Sequence, residues 1–141
     1  MAASSADSSR PARKGKILIV DDEKGIRDLL KTVLEADYHI AEADSGAALH
    51  LALEKEAPDV VLLDMNLPDA NGLRLLPAIK QRWPATEVII LSGTPHDGGA
   101  SSWAAEAVRN GAFAFLSKSA GFSFPQILDC VSSAVAVRRE T

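Results

Sequence analysis

Five polar residues in this chain each close a short apolar run, and their types would suit a metal-assisted transfer of phosphate. Asp21 and Asp22 follow Lys16-Ile17-Leu18-Ile19-Val20, and Asp64 follows Val60-Val61-Leu62-Leu63. Ser92 follows Val88-Ile89-Ile90-Leu91, and Lys118 comes just after Phe115-Leu116. If the runs are parallel strands side by side, all of these residues reach one crevice at the carboxyl edge of an open α/β sheet, where such sheets bind ligands. Three carboxylates brought within a few ångströms repel one another, so their convergence lowers stability unless a cation is bound. Magnesium suits the place, since it takes one or two carboxylates, keeps several waters and accepts phosphate oxygens. Calcium does not, because no loop carries oxygen ligands at its regular spacing. A carboxylate can attack phosphorus to give an acyl phosphate. The transfer then needs little beyond alignment and neutralisation of charge on the equatorial oxygens. Magnesium can hold one of those oxygens, the Lys118 ammonium a second, and the Ser92 hydroxyl with nearby backbone amides a third.

The elements that must position these groups alternate along the chain. The first strand covers 16–20, and Ile26, Leu29, Leu30, Val33 and Leu34 then make one apolar helical stripe. A second strand runs from Tyr38 to Ala43, and Ser45 reads as the N-cap of a helix through Leu49, Ala52 and Leu53 that ends before Pro58. The third strand, 59–64, is apolar on both faces, as a central parallel strand must be. Turn-forming residues fill 67–72, and a helix follows with Leu73, Leu76, Ile79 and Trp83 on one side, closed by Pro84. The fourth strand is 87–91, a flexible loop spans 94–99, and a short helix covers about 101–109 with Asn110-Gly111 as its stop. The fifth strand is 112–116. A capping box at Ser123-Phe124-Pro125-Gln126 opens the last helix, with Ile127, Leu128, Val131 and Val135 as its buried stripe. Right-handed crossovers place such units on both faces of one sheet. The expected fold is therefore α/β, a flavodoxin-like doubly wound parallel sheet of five strands in the order 2-1-3-4-5. That order makes strands one and three neighbours and brings Asp21, Asp22 and Asp64 together.

Composition sets the outer bounds. A chain of 141 residues suits one domain, and 47% hydrophobic with 24% charged residues is ordinary for a soluble globular protein. The net charge of −4 lacks the basic footprint of a nucleic-acid-binding surface. No apolar run approaches the roughly 18 residues of a membrane-spanning helix. Residues 1–15 lack the apolar core of a secretory signal and read as a disordered leader before a domain over 16–139. The one cysteine, Cys130, has no disulfide partner, which fits a cytoplasmic location. His39, His50 and His96 show no metal-ligand spacing, while Trp83 and Trp103 are read as packing residues.

Four motifs, Ile19-Val20-Asp21-Asp22-Glu23, Leu63-Asp64-Met65-Asn66-Leu67-Pro68-Asp69-Ala70-Asn71-Gly72, Leu91-Ser92-Gly93 and Phe115-Leu116-Ser117-Lys118, stand in this order. Together they resemble the response-regulator receiver domains of two-component signalling, over residues 16–138. The resemblance implies that Asp64 accepts a phosphoryl group from a histidine kinase or a phosphotransfer protein. It implies Asp21, Asp22, Asp64 and the backbone carbonyl of Asn66 as magnesium ligands, Lys118 and Ser92 as phosphate-contacting groups, and Ser92 with Phe115 as the switch. The output surface would be the fourth helix, fifth strand and fifth helix, acting on an effector protein or an output domain, as a monomer or a phosphorylation-dependent dimer. No direct nucleic-acid or membrane binding is expected. The module would catalyse only its own phosphoryl transfer and dephosphorylation, with Asn66 and Thr94 at the positions that tune the phosphoryl lifetime.

Two departures stand out. Receivers usually carry a cis-proline after the lysine, whereas Ser119 follows Lys118 here, and a non-proline cis bond costs about 2.5–4 kcal/mol. A trans Lys118–Ser119 bond and a looser loop over 119–121 are expected. The stretch from Ser92 to Lys118 is also longer than usual, with the excess at 95–102 displacing the fourth helix. A haloacid-dehalogenase-type phosphohydrolase also uses a strand-end Asp, a Ser/Thr, a Lys and magnesium. That family places a second Asp two residues after its nucleophile, where this chain has Asn66, and here the acid pair precedes the nucleophile. A degenerate receiver serving only for docking is disfavoured, because all five key residues are present.

Overall fold

The computed structural model describes residues 15–93, 99–118 and 124–140. Within them the strands are β1 (Gly15–Val20), β2 (Tyr38–Ala43), β3 (Val60–Asp64), β4 (Glu87–Ser92) and β5 (Ala114–Ser117). The helices between and after them are α1 (Lys24–Leu34), α2 (Gly46–Lys55), α3 (Gly72–Arg82), α4 (Gly99–Arg109) and α5 (Phe124–Glu140). All strand pairs are parallel, and the order β2-β1-β3-β4-β5 is the expected 2-1-3-4-5.

Alternation along the strands divides the core into two layers. Leu18, Val20, Val61, Leu63, Val88 and Ile90 meet Leu49 and Leu53 of α2, Leu73, Leu76 and Ile79 of α3, and Ala107 of α4. Ile17, Ile19, Val60, Leu62, Ile89 and Leu91 meet Leu30 and Leu34 of α1 and Ile127, Val131 and Ala134 of α5 on the opposite face. Fully burying one such side chain is worth about 1.5–3 kcal/mol. Every residue of β3 is buried, as its apolar character on both faces predicts.

Several boundaries differ from the sequence expectation for local reasons. Gly15 belongs to β1 rather than to the leader, pairing with Tyr38, while 1–14 lie outside the described residues. The fifth strand begins at Ala114, not Ala112, because the Gly111 and Ala112 amides donate to Val108 and Ala107 and close α4 in a Schellman turn. Gly111 takes φ +101° there, the left-handed conformation that glycine adopts at no steric cost. α4 starts at Gly99, two residues before the expected point. Leu29 is 44% exposed, since it lies about 100° around the helix from buried Leu30 and falls off the core-facing stripe. The loop over 94–98, the Lys118–Ser119 bond, the 119–121 loop and the Ser123 cap lie outside the described residues.

One glycine governs the approach of α3 to the strand end that carries Asp64. A Cβ at Gly72 would lie 2.6 Å from the Asp64 carbonyl oxygen and 3.1 Å from Met65 Cα, and the Gly72 amide donates to Met65 O at 2.7 Å. Backbone cannot give way as a side chain can. Gly72→Ala should therefore lower the unfolding free energy in urea by about 1–3 kcal/mol. Gly25→Ala, at an exposed α1 position with no atom within 4 Å of the new methyl, should raise it by up to about 1 kcal/mol. Equal effects of the two substitutions would contradict this account of Gly72.

Candidate functional site

Strand register brings the polar strand ends together. Val20 pairs with Leu63, so Asp21, just past β1, stands level with Asp64, the last residue of β3. Asp64 pairs with Leu91, and Ser92 pairs with Ser117 immediately before Lys118. Backbone bonds fasten these ends: Asp21 N–H to Ala43 O at 3.1 Å, Met65 N–H to Leu91 O at 2.8 Å, and Lys118 N–H to Ser92 O at 2.7 Å.

Carboxylate oxygens of Asp21, Asp22 and Asp64 lie within 4.8 Å of one another, the first and last buried and Asp22 exposed. Lys118 reaches across from beyond β5 and donates from Nζ to Asp21 Oδ2 at 3.0 Å, with Asp64 Oδ1 at 3.6 Å. Burial pushes the Asp64 carboxyl up to about 6, with Asp21 and Asp22 adding to the effect and Lys118 and the Asn66 amide opposing it. Burial also works against the charged Lys118 ammonium, yet its hydrogen bond to Asp21 and the charge of Asp64 hold its pKa above the usual lysine value. An all-oxygen donor set that stays uncomfortable despite its lysine fits a hard divalent cation such as magnesium.

The other expected residues sit at or beside this group. Asn66 donates its amide to Asp64 Oδ1 at 3.2 Å and bridges to Asn71, which folds the loop after β3 back on itself. Ser92 is buried at the end of β4. Phe115 is half-buried in β5 and packs against the core layer beneath α2, α3 and α4. His39 and His50 do not join the acidic group, and His96 lies outside the described residues.

Sequence reasoning missed two supporting residues. Asp69, read only as a turn former, accepts the Gly46 amide at 2.7 Å and the Ala47 amide at 3.1 Å. It thereby caps α2 beside Ser45, whose Oγ accepts the Ala48 amide at 3.1 Å. The two backbone amides hold the Asp69 carboxyl below its usual value and tie the loop after Asp64 to α2. Arg27, which the sequence does not single out, donates from one terminal nitrogen to the Asp21 carbonyl at 2.7 Å. Asp69 lies 23 residues beyond the helix start that it caps, so no local pattern signals the first. A lone arginine beside a buried stripe is only a weak signal for the second.

The sequence profile of the response regulator receiver domain matches residues 17–130. The chain is 35% identical over 129 residues to the DNA-binding transcriptional regulator NtrC of Proteus hauseri, covering 91% of this chain and 26% of that protein. It is 37% identical over 78 residues to the transcriptional regulatory protein KdpE of Staphylococcus aureus, covering 55% of this chain and 34% of that protein. This chain thus spans about a quarter to a third of the length of these curated relatives. Among solved structures, the receiver domain of NtrX from Brucella abortus superposes with a TM-score of 0.75 at 32% identity, covering 85% of this chain and 98% of that one.

The raised Asp64 carboxyl has a consequence for the metal-free protein. Its proton is bound more tightly folded than unfolded, so this group's contribution is fully present below its ordinary value of 3.8 and is lost as pH rises through about 6. Asp64→Asn should therefore melt above the wild type at pH 7.5 in chelator, by about 4 °C. Solvent screening at the partly open crevice limits the gain to roughly 1 kcal/mol. The difference should vanish as pH approaches 4. A gap independent of pH would refute the electrostatic origin.

Proposed function

The chain belongs to the response regulator receiver domain family, and from that membership we propose that it is the phosphoryl-accepting module of a two-component phosphorelay, with Asp64 as acceptor. A carboxylate oxygen of Asp64 attacks the phosphorus of a phosphohistidine on a sensor histidine kinase or a phosphotransfer protein. The P–N bond breaks, its electrons return to the imidazole of the donor, and Asp64 carries an acyl phosphate. With its pKa near 6 the Asp64 carboxyl is mostly ionised at pH 7 and available as nucleophile. Magnesium bound by the Asp21, Asp22 and Asp64 carboxylates and the Asn66 carbonyl would neutralise charge on the phosphoryl oxygens. Lys118 pairs with a second oxygen of the phosphoryl group, giving up part of its contact with the carboxylates, and Ser92 donates its hydroxyl to a third. The observation that carries this reading is the Lys118 ammonium, 3.0 Å from Asp21 and 3.6 Å from Asp64, in a crevice shared by three carboxylates.

A phosphorylated aspartate adds about two negative charges and three acceptor oxygens, enough to reorder a neighbouring loop. Ser92 moving toward the phosphate and Phe115 rotating inward then alter the α4–β5–α5 face, which a downstream effector or an output domain reads. The module works in the cytoplasm, as a monomer or as a dimer formed on phosphorylation. No helix among the described residues is long and apolar enough to cross a membrane. With a net charge of −4, any effect on DNA passes through a partner or a further segment.

Incubation with acetyl phosphate and Mg2+ should add the mass of one phosphoryl group to the intact chain, and chelation or Asp64→Asn should abolish the gain. Labelling should stop at one group per chain without sustained release of inorganic phosphate from small phosphomonoesters. Sustained turnover would favour a phosphohydrolase, and labelling that survives Asp64→Asn would overturn the assignment.

A further inference from the structure

Arg27 is largely buried, its side chain 15% exposed, although α1 is otherwise polar on that flank. Its terminal nitrogen donates to the backbone carbonyl of Asp21 at 2.7 Å, and its Nε donates to Glu42 Oε1 of β2 at 3.1 Å. One planar guanidinium thus joins α1, the end of β1 and β2. Asp21 is consequently held at each of its polar atoms. Its amide donates to Ala43 O at 3.1 Å, Oδ1 accepts the Glu23 amide at 2.9 Å, Oδ2 accepts Lys118 at 3.0 Å, and its carbonyl accepts Arg27.

Three of these four contacts belong to the sheet, the turn or the lysine of the site, and Arg27 supplies the fourth from outside. Asp22 stands between Asp21 and Glu23, so the direction of its carboxylate depends on how firmly that backbone is held. We propose that Arg27 is a positioning residue for the magnesium site, fixing the Asp21–Asp22–Glu23 backbone so that both acids face one ion. This rests on the reading of Asp21, Asp22 and Asp64 as magnesium ligands. Mutating partners that orient metal ligands from behind typically weakens metal binding by about 10–100-fold. The fork matters as well as the charge, since a lysine ammonium is a compact point that cannot donate along two fixed directions.

Charge and positioning act in opposite directions here, which makes the idea testable by sign. Loss of a positive charge near a cation site by itself tightens cation binding, whereas loss of the brace loosens it. Magnesium titrated calorimetrically into the full chain should bind Arg27→Gln and Arg27→Lys about 10-fold more weakly than wild type. The magnesium concentration that half-saturates phosphorylation by acetyl phosphate should rise by the same factor, and the rate lost should return at saturating magnesium. Where Arg27→Gln fails to give a cooperative melt, Arg27→Lys, which keeps charge and bulk, is read alone. Unchanged or tighter binding overturns the proposal, as does wild-type affinity in Arg27→Lys or a lower maximal rate with no shift in half-saturation. If wild type binds no magnesium, the reading of the acids falls with it. If wild type binds and the variants match it, only the role of Arg27 falls.

Discussion

Repulsion among three carboxylates, opposed by one ammonium group, is the constraint around which the molecule is arranged. Unit charges about 4 Å apart interact by roughly 4 kcal/mol at an effective dielectric of 20. Asp21, Asp22 and Asp64 make three repulsive pairs, while Lys118 makes close attractive contact with only Asp21 and Asp64. Three negative charges and one positive leave a net of two negative, the amount one divalent cation neutralises. The raised Asp64 carboxyl comes first from burial, with the Asp21 and Asp22 charges adding to it and Lys118 opposing it. Replacing these acids by apolar residues would make a more stable fold with no chemistry, and sites of this kind commonly sacrifice stability for function.

A rigid scaffold has to hold such a cluster against its own repulsion. The parallel sheet does so by burying β3 completely and by packing apolar layers on both faces, so the strand ends cannot splay. Register decides which residues meet, because the pairing of Val20 with Leu63 sets Asp21 beside Asp64. Gly72 lets α3 come within contact of the Asp64 backbone, Asp69 ties the intervening loop to α2, and Arg27 braces the turn after β1. Lys118 spans 97 residues of sequence to reach Asp21, so the site exists only when all the strands are in place.

Much of this was legible from the sequence because its signals are local and periodic. Apolar runs ending in Asp, Ser or Lys mark the strands and their carboxyl edge, and the 3.6-residue stripes mark the helices between them. The acidic group and Lys118 could be placed together once the strand order was argued from connection handedness. What stayed hidden depends on tertiary geometry. Asp69 accepts backbone amides 23 residues away and Arg27 donates to a backbone carbonyl, and a backbone partner leaves no mark in a side-chain pattern. The start of β5 was misjudged because Ala112 and Phe113 are apolar enough for a strand, while the turn closing α4 takes up the Ala112 amide. Leu29 was assigned to the core by spacing alone, and a stripe does not state where its edge meets water.

The most direct test is the carboxyl resonance of Asp64 followed through a pH titration by carbon NMR, without metal and with saturating Mg2+. The electrostatic account predicts a midpoint near 6 in the metal-free protein, falling below the ordinary aspartate value of 3.8 when magnesium is bound. A midpoint near the ordinary value that magnesium does not move would contradict the idea that these three acids form a strained, cation-seeking site.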